Sequence, residues 1–251
     1  MVGSAAIGII CKTPIPGKSK TRLLPILGPE GAARLSGCFL SDVAGAIEAV
    51  PAAVGRRGYA VYAPQGSEST LRTYLPTDFG LVCRRDATLG VVLHSATGHL
   101  LAEGHDCVIL VNADSPTLPP PLLIAAIAAA RAPGDRVVLG PATDGGYYLI
   151  GLKKAHARLF ADIPWSTPGV LAATVARASE LGLPVAELPL WYDIDDADML
   201  SVLLGEISGA GLPFDASGMV SGPATATRRF LSELPDLAAR LHRHVMKVGA
   251  P

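Results

Sequence analysis

The chain has 251 residues, a formal net charge of −1, and 49% hydrophobic but only 5% aromatic residues. Its length suits one α/β domain or two small ones, and its apolar, aromatic-poor composition suits helices packed on a sheet. Because there is no overall positive charge, binding to a nucleic-acid backbone is disfavoured.

The cysteines and the apolar runs indicate a protein of a reducing compartment. Cys11, Cys38, Cys83 and Cys107 form no Cys-x-x-Cys pair and no cluster with histidine, so we expect buried free thiols. The first apolar run is broken by Lys12 and follows no basic segment, and no later run is long enough for a membrane span. We therefore expect a cytoplasmic protein without a membrane partner.

The predicted elements alternate between strands and helices along most of the chain. In chain order, the apolar patterns predict a strand over 5–11, a helix over 29–50, a strand over 59–63, a short helix over 67–75, a strand over 81–84, a helix over 87–103, a strand over 107–113, a helix over 120–131, strands over 136–141 and 147–152, a helix over 168–181, a strand over 185–190 and a helix that ends near 204. This alternation predicts an α/β fold with a mostly parallel, doubly wound sheet.

The composition changes after residue 205. Residues 206–222 are rich in Gly, Ser and Pro, which is typical of a linker, and residues 225–246 carry a helical pattern that is interrupted at Pro235. We predict a main domain over 1–205, followed by a linker and a helical tail over 206–251. The tail is expected to pack on the main domain or on a partner subunit, and the second arrangement would make the protein a homodimer.

A basic loop over residues 12–22 follows the first strand. It contains two prolines that fix the path of the chain and a glycine that permits a tight turn, together with four cations: Lys12, Lys18, Lys20 and Arg22. A loop that leads from a strand into a helix also exposes backbone N–H groups beside the positive end of the helix dipole. These features predict a phosphate-binding loop, although the loop is neither a Walker A sequence nor a Gly-x-Gly-x-x-Gly fingerprint. A solvated basic turn is the alternative interpretation.

Polar clusters follow four of the predicted strands. They are the basic loop, Asp114, residues 143–146, and Asp193 with Asp195. In open α/β sheets, ligands bind outside the carboxyl ends of the strands. Since all four clusters fall at such ends, we expect them to contribute to one site.

Asp114 and Asp195, or Asp193 in its place, are the candidate metal ligands. Asp114 follows a wholly apolar strand, so its carboxylate should emerge at the edge of the sheet. Mg²⁺ takes one or two protein carboxylates and fills its other positions with phosphate oxygens and water. The alternative interpretation is helix capping, by Asp114 for the helix that follows Pro116 and by Asp195 for the last helix of the main domain.

The remaining polar groups allow two interpretations each. Gly145 and Gly146 either let the backbone approach a ligand closely or form a hairpin turn. Ser166 and Thr167 offer hydroxyls and backbone amides to an anion, or they cap the helix that Pro168 opens. The histidines are scattered, and the sequence contains no Gly-x-Ser-x-Gly elbow or other local sign of nucleophilic catalysis.

Several motifs together resemble, in order and spacing, the DUF2064 family of bacterial GT-A-like transferases. They are K-T-P-I-P-G-K-S-K-T-R-L at 12–23, N-A-D-S-P-T-L at 112–118, D-G-G-Y-Y-L-I-G-L at 144–152, W-S-T at 165–167 and D-I-D-D-A-D-M-L at 193–200. More distantly, the layout is similar to the 2-phospho-lactate and molybdenum-cofactor guanylyltransferases. The resemblance implies a three-layer fold of the nucleotide-diphospho-sugar transferase type. Its mixed, mainly parallel sheet would bind a nucleotide over the first half and an acceptor over the second.

The resemblance also implies roles for individual residues. It implies catalytic roles for Lys20, Arg22 and Asp114, nucleotide contacts from Lys12, Pro16, Gly17, Lys18, Lys20, Thr21, Arg22 and Asn112, acceptor contacts from Thr143, Asp144, Gly145, Gly146, Ser166 and Thr167, and Mg²⁺ or Mn²⁺ ligands at Asp114, Asp193 and Asp195. One segment departs from the family pattern. An acidic-Leu-Gly-x-Arg sequence is usual after the third strand, and residues 88–92 here read T-L-G-V-V. We therefore expect base recognition or a phosphate contact to be altered.

Three hypotheses about function follow. The first is a Mg²⁺-dependent nucleotidyltransferase, in which a small phosphorylated or carboxylated acceptor attacks a nucleoside triphosphate and releases pyrophosphate. The cations of the basic loop suit a triphosphate, and an ionised acceptor needs no general base. The second is a glycosyltransferase that uses a nucleotide-diphosphate sugar, with Asp144 as the candidate base. The third is a catalytically silent nucleotide- or metabolite-binding protein, which the altered segment supports.

Overall fold

Strands and helices alternate along the computed structural model, which describes residues 3–84 and 88–248 and gives only the backbone beyond residue 244. The elements in these residues are β1 Ala5–Lys12, α1 Leu24–Glu48, β2 Arg56–Ala63, α2 Glu68–Arg72, β3 Gly80–Cys83, α3 Leu89–Ala102, β4 Cys107–Asn112, α4 Pro120–Arg131, β5 Val137–Pro141, β6 Tyr147–Leu152, α5 Val170–Glu180, β7 Val185–Glu187, α6 Ala197–Ile207, α7 Thr225–Ser232 and α8 Leu237–Val248. Short 3-10 helices cover Thr21–Leu23, Ala52–Val54 and Ala157–Phe160.

The strands form one mixed sheet in the order β3-β2-β1-β4-β6-β5-β7. β6 is antiparallel to both of its neighbours, and the other neighbouring strands are parallel. The predicted α/β fold with a mostly parallel sheet is therefore confirmed. Because β1, β4 and β5 run in the same direction, the loops that follow them leave the sheet at one edge.

Helices cover both faces of the sheet because successive strand residues point to opposite sides. In β4, Ile109 packs with Leu35 of α1 in one apolar cluster. Its neighbour Val108 packs with Leu93 of α3 and Ala178 of α5 in a second cluster on the other face. The result is the three-layer arrangement that the resemblance implies.

Local structure differs from the predictions at three helix starts. α1 begins before Pro29, but Gly28 has φ 70° and ψ 173°, so a single helical turn precedes the main helix. Ser67, at the start of the helix predicted over 67–75, precedes α2 without capping it, because its hydroxyl donates to the carbonyl of Pro64 at 2.6 Å instead. The predicted start of the next helix, residue 87, lies outside the described residues; α3 begins at Leu89, which is exposed.

The helices of the tail pack on α1 of the same chain. Phe230 of α7 and Leu241 of α8 are buried in the same apolar cluster as α1 and the sheet. Asp42 of α1 also accepts hydrogen bonds from the backbone N–H groups of Ala226 and Thr227, each at 2.8 Å. Within the predicted linker, the N–H of Gly222 donates to the carbonyl of Thr117 at 2.8 Å, so the tail is connected to the main domain by hydrogen bonds as well as by packing.

The cysteines form no disulfide among the described residues. Cys11 and Cys107 are buried, Cys38 is half-buried and Cys83 is exposed, so the expectation of buried thiols is wrong for Cys83. Cys83 is exposed because it is the last residue of β3, a strand at the outer edge of the sheet. In the part of the chain with described structure, no helix combines the length and the apolar character that crossing a membrane requires.

Candidate functional site

The basic loop starts from a position that is fixed by the end of β2. The N–H of Thr13 donates to the carbonyl of Ala63 at 2.8 Å. The hydroxyls of Thr13 and Ser67 are hydrogen-bonded to each other at 2.7 Å, and Thr13 is buried. The loop therefore leaves the sheet from a rigid base rather than from a frayed strand end.

A tight turn over residues 15–19 shapes the first part of the loop. The N–H groups of Lys18 and Ser19 donate to the carbonyl of Ile15 at 3.0 and 3.1 Å, and the N–H of Ile15 donates to the hydroxyl of Ser19 at 2.9 Å. Gly17 supplies the left-handed backbone conformation that the turn needs, with φ 74°. Lys18 is exposed at the tip of the turn, where its charge can meet a ligand.

Lys20 lies at the centre of the site, although it is 174 residues away in sequence from one of its partners. Its ammonium donates to the carbonyl of Ile194 at 2.6 Å, and it lies 2.8 Å from Asp195 Oδ1 and 2.9 Å from Asp114 Oδ1. Its side chain is only 6% exposed. The first loop and the last loop of the main domain are therefore joined through one cation.

The backbone brings the two carboxylates together. The N–H of Ile194 donates to the carbonyl of Asp114 at 2.9 Å, and the hydroxyl of Ser115 donates to the carbonyl of Tyr192 at 2.8 Å. These bonds align the segment before α6 with the end of β4. As a result, Asp114 and Asp195 lie side by side at the edge of the sheet.

At this edge of the sheet, the aspartates that pair with Lys20 are not the aspartate that caps a helix. The carboxylate of Asp196 accepts from the N–H groups of Asp198 and Met199, each at 3.1 Å, and so caps α6. Asp195 makes no such bond, and the residue at the start of α4 is Pro119 rather than Asp114. Neither of the two candidate metal ligands is a helix cap.

The charges of the site shift several pKa values. Burial alone would lower the pKa of Lys20, but Asp114 and Asp195 outweigh it and raise that pKa. Burial would raise the pKa of Asp195, and the charge and hydrogen bond of Lys20 instead hold it below its usual range. The pKa of Asp193 is raised to about 7 by burial and by the neighbouring charges of Asp195, Asp144 and Asp114. Negative charge therefore exceeds positive charge at this end of the site.

A cavity of about 380 Å³ opens beside the ion pair. Predicted residues that line it are Lys12, Lys18, Lys20, Thr21, Arg22, Asp114 and Asp195. Residues from distant parts of the sequence thus face one cavity with both cations and carboxylates on its walls.

The sequence analysis missed one cation of this cavity, Arg84. It directly follows β3, and its N–H donates to the carbonyl of Tyr62 at 2.9 Å. Its Nε is buried without a hydrogen-bond partner among the described residues. The signal that could have found it is its position, because it follows a parallel strand at the same edge as the basic loop.

Three predicted nucleotide residues and one predicted metal ligand do not line this cavity. Pro16 and Gly17 are exposed in the turn of the basic loop, and Asp193, the candidate metal ligand, is half-buried. Asn112 is the last residue of β4, and its side-chain oxygen is buried with no partner in the described chain.

The predicted acceptor residues form a second group, beyond the cavity. Residues 143–146 connect β5 to β6 as a hairpin, in which Asp144 Oδ1 accepts from the N–H of Gly146 at 2.8 Å. A Cβ on Gly145 would lie 2.3 Å from the carbonyl oxygen of Pro168, so the close approach at Gly145 is to protein backbone and not to a ligand. The hairpin interpretation of this glycine is therefore the better one.

Ser166 and Thr167 lie in the loop against which the hairpin packs. Ser166 is exposed and has φ 64°. The hydroxyl of Thr167 donates to the carbonyl of Pro164 at 2.7 Å and accepts from the N–H of Gly169 at 3.3 Å. Gly169 rather than Ser166 or Thr167 occupies the N-cap position of α5, so Thr167 supports the turn before the helix without being its cap residue. The N–H of Thr143 is used as well, because it donates to the carbonyl of Trp191 at 3.1 Å.

The donors of the candidate metal site are carboxylates, which suit a hard divalent cation. No group of three or more His, Cys, Asp or Glu side chains in the described residues is arranged to hold a metal. Asp114 and Asp195 are 34% and 50% exposed, and each uses Oδ1 in its contact with Lys20. Two such carboxylates, beside a cavity that is also lined by cations, provide the oxygen donors that Mg²⁺ takes from a protein, so the residues fit the metal as a pair.

The fold is that of nucleotide-dependent transferases. A candidate nucleotide-diphospho-sugar transferase from Desulfovibrio desulfuricans G20 is 26% identical, covers 95% of this chain and 97% of its own, and superposes with a TM-score of 0.79. CMP:2-keto-3-deoxy-manno-octonic acid synthetase complexed with CTP is 14% identical over 83% of this chain and 100% of its own, with a TM-score of 0.54. A cytidylyltransferase from Leptospira borgpetersenii serovar Hardjo-bovis (strain JB197) is 11% identical over 94% and 96%, with a TM-score of 0.51.

The resemblance to a particular family is confirmed as well. The model of the DUF2064 family, described as an uncharacterized protein conserved in bacteria, matches residues 46–167. This match includes Asp114 and the hairpin but neither the basic loop nor Asp195. No curated protein matches the chain.

Proposed function

We propose that this protein is a nucleotidyltransferase that depends on Mg²⁺ or Mn²⁺. It would transfer a nucleoside monophosphate from a nucleoside triphosphate to a small phosphorylated or carboxylated acceptor and release pyrophosphate. The observation that carries this proposal is the shared cavity, in which cations from two separate segments, the basic loop and the end of β3, face the Asp114–Asp195 pair. Such a site neutralises a polyphosphate and also offers oxygen ligands for its metal.

The cations are arranged for a long anion rather than for a single phosphate. Lys12, Lys18 and Arg22 are exposed on the basic loop, and Arg84 lies on the wall formed by the end of β3. Charged hydrogen bonds from such groups to phosphate oxygens are short and strong, and a guanidinium can make two at once. We infer that Arg84 supplies a phosphate contact in place of the arginine that is missing from residues 88–92.

The metal would be held by Asp114 and Asp195, with Asp193 as a further candidate. When bound, it would supply positive charge that the phosphates need as the pyrophosphate leaves. The chain's own contribution is to place the carboxylates at the edge of the sheet and to orient the phosphates with the loop cations. A phosphorylated or carboxylated acceptor is ionised at neutral pH, so it requires positioning more than it requires a base.

Glycosyl transfer is the second candidate. It is supported by the relative from D. desulfuricans, which is named for nucleotide-diphospho-sugar transfer. It requires a base near an acceptor hydroxyl, and Asp144 is the candidate. One oxygen of Asp144 accepts from the N–H of Gly146 inside the hairpin, which leaves the other for such a role.

A silent binding protein is the third candidate, because residues 88–92 lack the acid and the arginine of the family pattern. Val91, at the place of the variable residue in that pattern, is exposed. Nucleotide binding without turnover would favour this candidate over the other two.

The test is a transfer assay with purified protein. Each nucleoside triphosphate is incubated with Mg²⁺ and a set of small phosphorylated and carboxylated acids, and pyrophosphate is measured. Nucleotidyl transfer predicts pyrophosphate that depends on one triphosphate and one acceptor. Release of free diphosphate from UDP- or GDP-sugars, without pyrophosphate in the first assay, would favour glycosyl transfer.

Asp114→Asn is the matching variant, with Asp78→Asn as its control. Asn keeps the shape of the side chain but removes the charge from the candidate metal site, so turnover should fall to background while the circular dichroism spectrum is retained. Asp78 is exposed in a loop away from the cavity, and its variant should keep full turnover. Full turnover by Asp114→Asn would count directly against the proposed site.

A further inference from the structure

The Lys20 ammonium is engaged by three acceptors of the protein. A lysine ammonium has three donors. It donates hydrogen bonds to the carbonyl of Ile194 at 2.6 Å and to Asp195 Oδ1 at 2.8 Å, and it forms a salt bridge with Asp114 Oδ1 at 2.9 Å. The ammonium is thus held by protein groups, even though Lys20 lines the cavity that the other cations face.

The same contacts place a positive charge where a metal would bind. Asp114 and Asp195 each direct one oxygen at the ammonium, which lies within 2.9 Å of both. A divalent cation on these carboxylates would lie a few ångströms from the ammonium, and like charges at that distance repel strongly in a partly buried site. The ammonium and the metal are therefore competitors for one pair of carboxylates.

The exposure of the three side chains shows from which side the competitor would come. Lys20 is 6% exposed, whereas Asp114 and Asp195 are 34% and 50% exposed. The ammonium is therefore more buried than either carboxylate, and both carboxylates line the cavity. A polyphosphate with its metal would approach the two carboxylates from that cavity.

The backbone of Lys20 is also strained. It has φ 45° and ψ 52°, a left-handed conformation that non-glycine residues adopt at a cost. The three contacts of the ammonium join this residue to Asp114, Ile194 and Asp195, which are distant in sequence. Release of the ammonium would remove these contacts and leave its charge free to meet a ligand.

We propose that Lys20 excludes the divalent cation from the free protein and releases the two carboxylates only when a polyphosphate accepts its ammonium. Metal and nucleotide then enter as one unit, and the free protein has little affinity for the metal alone. This inference rests on the proposed function, because it assumes a metal-bound polyphosphate as the ligand. It assigns to Lys20 a regulatory role in addition to its contact with phosphate.

The test measures metal binding by the protein without nucleotide. Mn²⁺ is titrated into wild type, Lys20→Met and Lys154→Met, and free Mn²⁺ is followed by electron paramagnetic resonance. Lys20→Met should bind Mn²⁺ about tenfold or more tightly than wild type, since its carboxylates are left without a cation. Lys154→Met removes the same charge at an exposed position that does not line the cavity, so its affinity should stay within about twofold of wild type.

Two further measurements make the result specific. The double variant Lys20→Met/Asp114→Asn should lose the gained Mn²⁺ affinity, because one of the two carboxylates is gone. Wild type should bind Mn²⁺ more tightly when a non-hydrolysable nucleoside triphosphate is present. The Mn²⁺ that this nucleotide binds in solution without protein is measured separately and subtracted. Lys20→Gln, which keeps two N–H donors without the charge, serves as a second variant if Lys20→Met does not fold.

Tight Mn²⁺ binding by the free wild-type protein that is lost in Asp114→Asn would overturn the proposal, whatever the Lys20 variants do. Equal Mn²⁺ affinity in wild type and a folded Lys20 variant would overturn it as well. Neither measurement requires turnover. If the transfer assay fails while the Lys20 variants gain Mn²⁺ affinity, the function is wrong and the competition between Lys20 and metal stands.

Discussion

Among single side chains, Arg84 combines a charge with an unmet hydrogen-bonding group. Its Nε is buried without a partner among the described residues, and it lines a cavity with other cations. A buried charged donor without a partner is costly, so such groups are usually found where a ligand completes their bonds. We interpret Arg84 as a residue that is positioned to donate hydrogen bonds to a bound anion.

Replacing Arg84 by Met should therefore weaken nucleotide binding by about 1–3 kcal/mol, the typical value of a hydrogen bond to a charged group. Isothermal titration with the triphosphate that supports transfer measures the loss. Arg57→Met is the control, because Arg57 is exposed near the amino end of β2, whereas the cavity lies at the carboxyl ends of the strands. An unchanged dissociation constant for Arg84→Met would remove this residue from the site.

Some site residues could be predicted from the sequence, but the contacts between them could not. Asp114 and Asp195 could be proposed because each follows a strand, and strand ends share an edge. Lys20 could be proposed as a phosphate contact from the basic loop, but its pairing with these carboxylates could not be predicted, because a contact across 175 residues leaves no local pattern. Arg84 was missed because a lone arginine after a short strand has no distinctive neighbours.

Within the secondary-structure elements, the β5–β6 hairpin depends on a contact that only glycine permits. Gly145 has φ 87°, and a Cβ there would lie 2.3 Å from the oxygen and 2.7 Å from the Cα of Pro168. The N–H of Leu171 also donates to the carbonyl of Gly145 at 3.0 Å, so the hairpin and the start of α5 are held together.

Gly145→Ala should lower the free energy of unfolding by about 3 kcal/mol, which combines an unfavourable φ with a steric clash. Gly182→Ala tests the φ term alone, because Gly182 has φ 66° and nothing lies within 4 Å of its Cβ position. That control should lose about 1 kcal/mol. Urea denaturation compares the two, and equal losses would show that the contact with Pro168 has no effect.

The start of α7 is held by a side chain from another helix. Asp42 of α1 accepts from the N–H groups of Ala226 and Thr227, two donors that a short helix leaves unpaired. Asp42→Ala should therefore destabilise the protein by about 1–2 kcal/mol, as the loss of a helix cap does. Asp42→Asn retains one acceptor oxygen and should lose less in the same denaturation experiment.

Asp42 also predicts a difference in pH dependence. Burial raises the pKa of its carboxyl above the usual value, against the hydrogen bonds from Thr227 and Ala226, which lower it. The folded protein therefore keeps this proton to a higher pH than the unfolded chain does. Its stabilising effect is present below about pH 4 and is lost as the pH rises through the raised pKa.

The melting temperature of wild type, relative to that of Asp42→Asn, should accordingly fall as the pH rises from about 4 to neutrality. Thermal denaturation at several pH values measures it, and comparing the two proteins cancels the contributions of other titrating groups. A difference that moves in favour of wild type over this range would contradict the raised pKa.

At the scale of the whole molecule, the tail is part of the same core as the sheet. Phe230 is buried with α1 in the larger apolar cluster. Phe230→Ala should cost about 3–5 kcal/mol, because it leaves a cavity in that core. Val220→Ala, at an exposed position of the linker, should change stability by less than about 0.5 kcal/mol.

Calorimetry and urea denaturation both measure the effect of Phe230→Ala. One cooperative transition at lower temperature is expected, because the tail and the main domain share apolar contacts. Two separate transitions would mean that the tail unfolds on its own.

The overall architecture could be predicted largely from hydrophobic patterns, because buried strands and amphipathic helices follow the periodicity of their packing. α4 and β6 have the predicted bounds, Pro120–Arg131 and Tyr147–Leu152. The antiparallel direction of β6 was implied by the hairpin interpretation of Gly145 and Gly146, and the resemblance implied only that the sheet is mixed. It could not be predicted from β6 itself, since an apolar run does not show which way a strand lies between its neighbours.

The antiparallel strand β6 sets the distance between two parts of the sheet edge at which ligands are proposed to bind, the end of β4 and the β5–β6 hairpin. Because β6 separates β4 from β5, the end of β4 and the hairpin after β5 are two strand spacings apart, about 10 Å. That interval matches the breadth of a small organic molecule. The proposed nucleotide above Asp114 and the proposed acceptor above the hairpin would therefore lie side by side, with β6 between them.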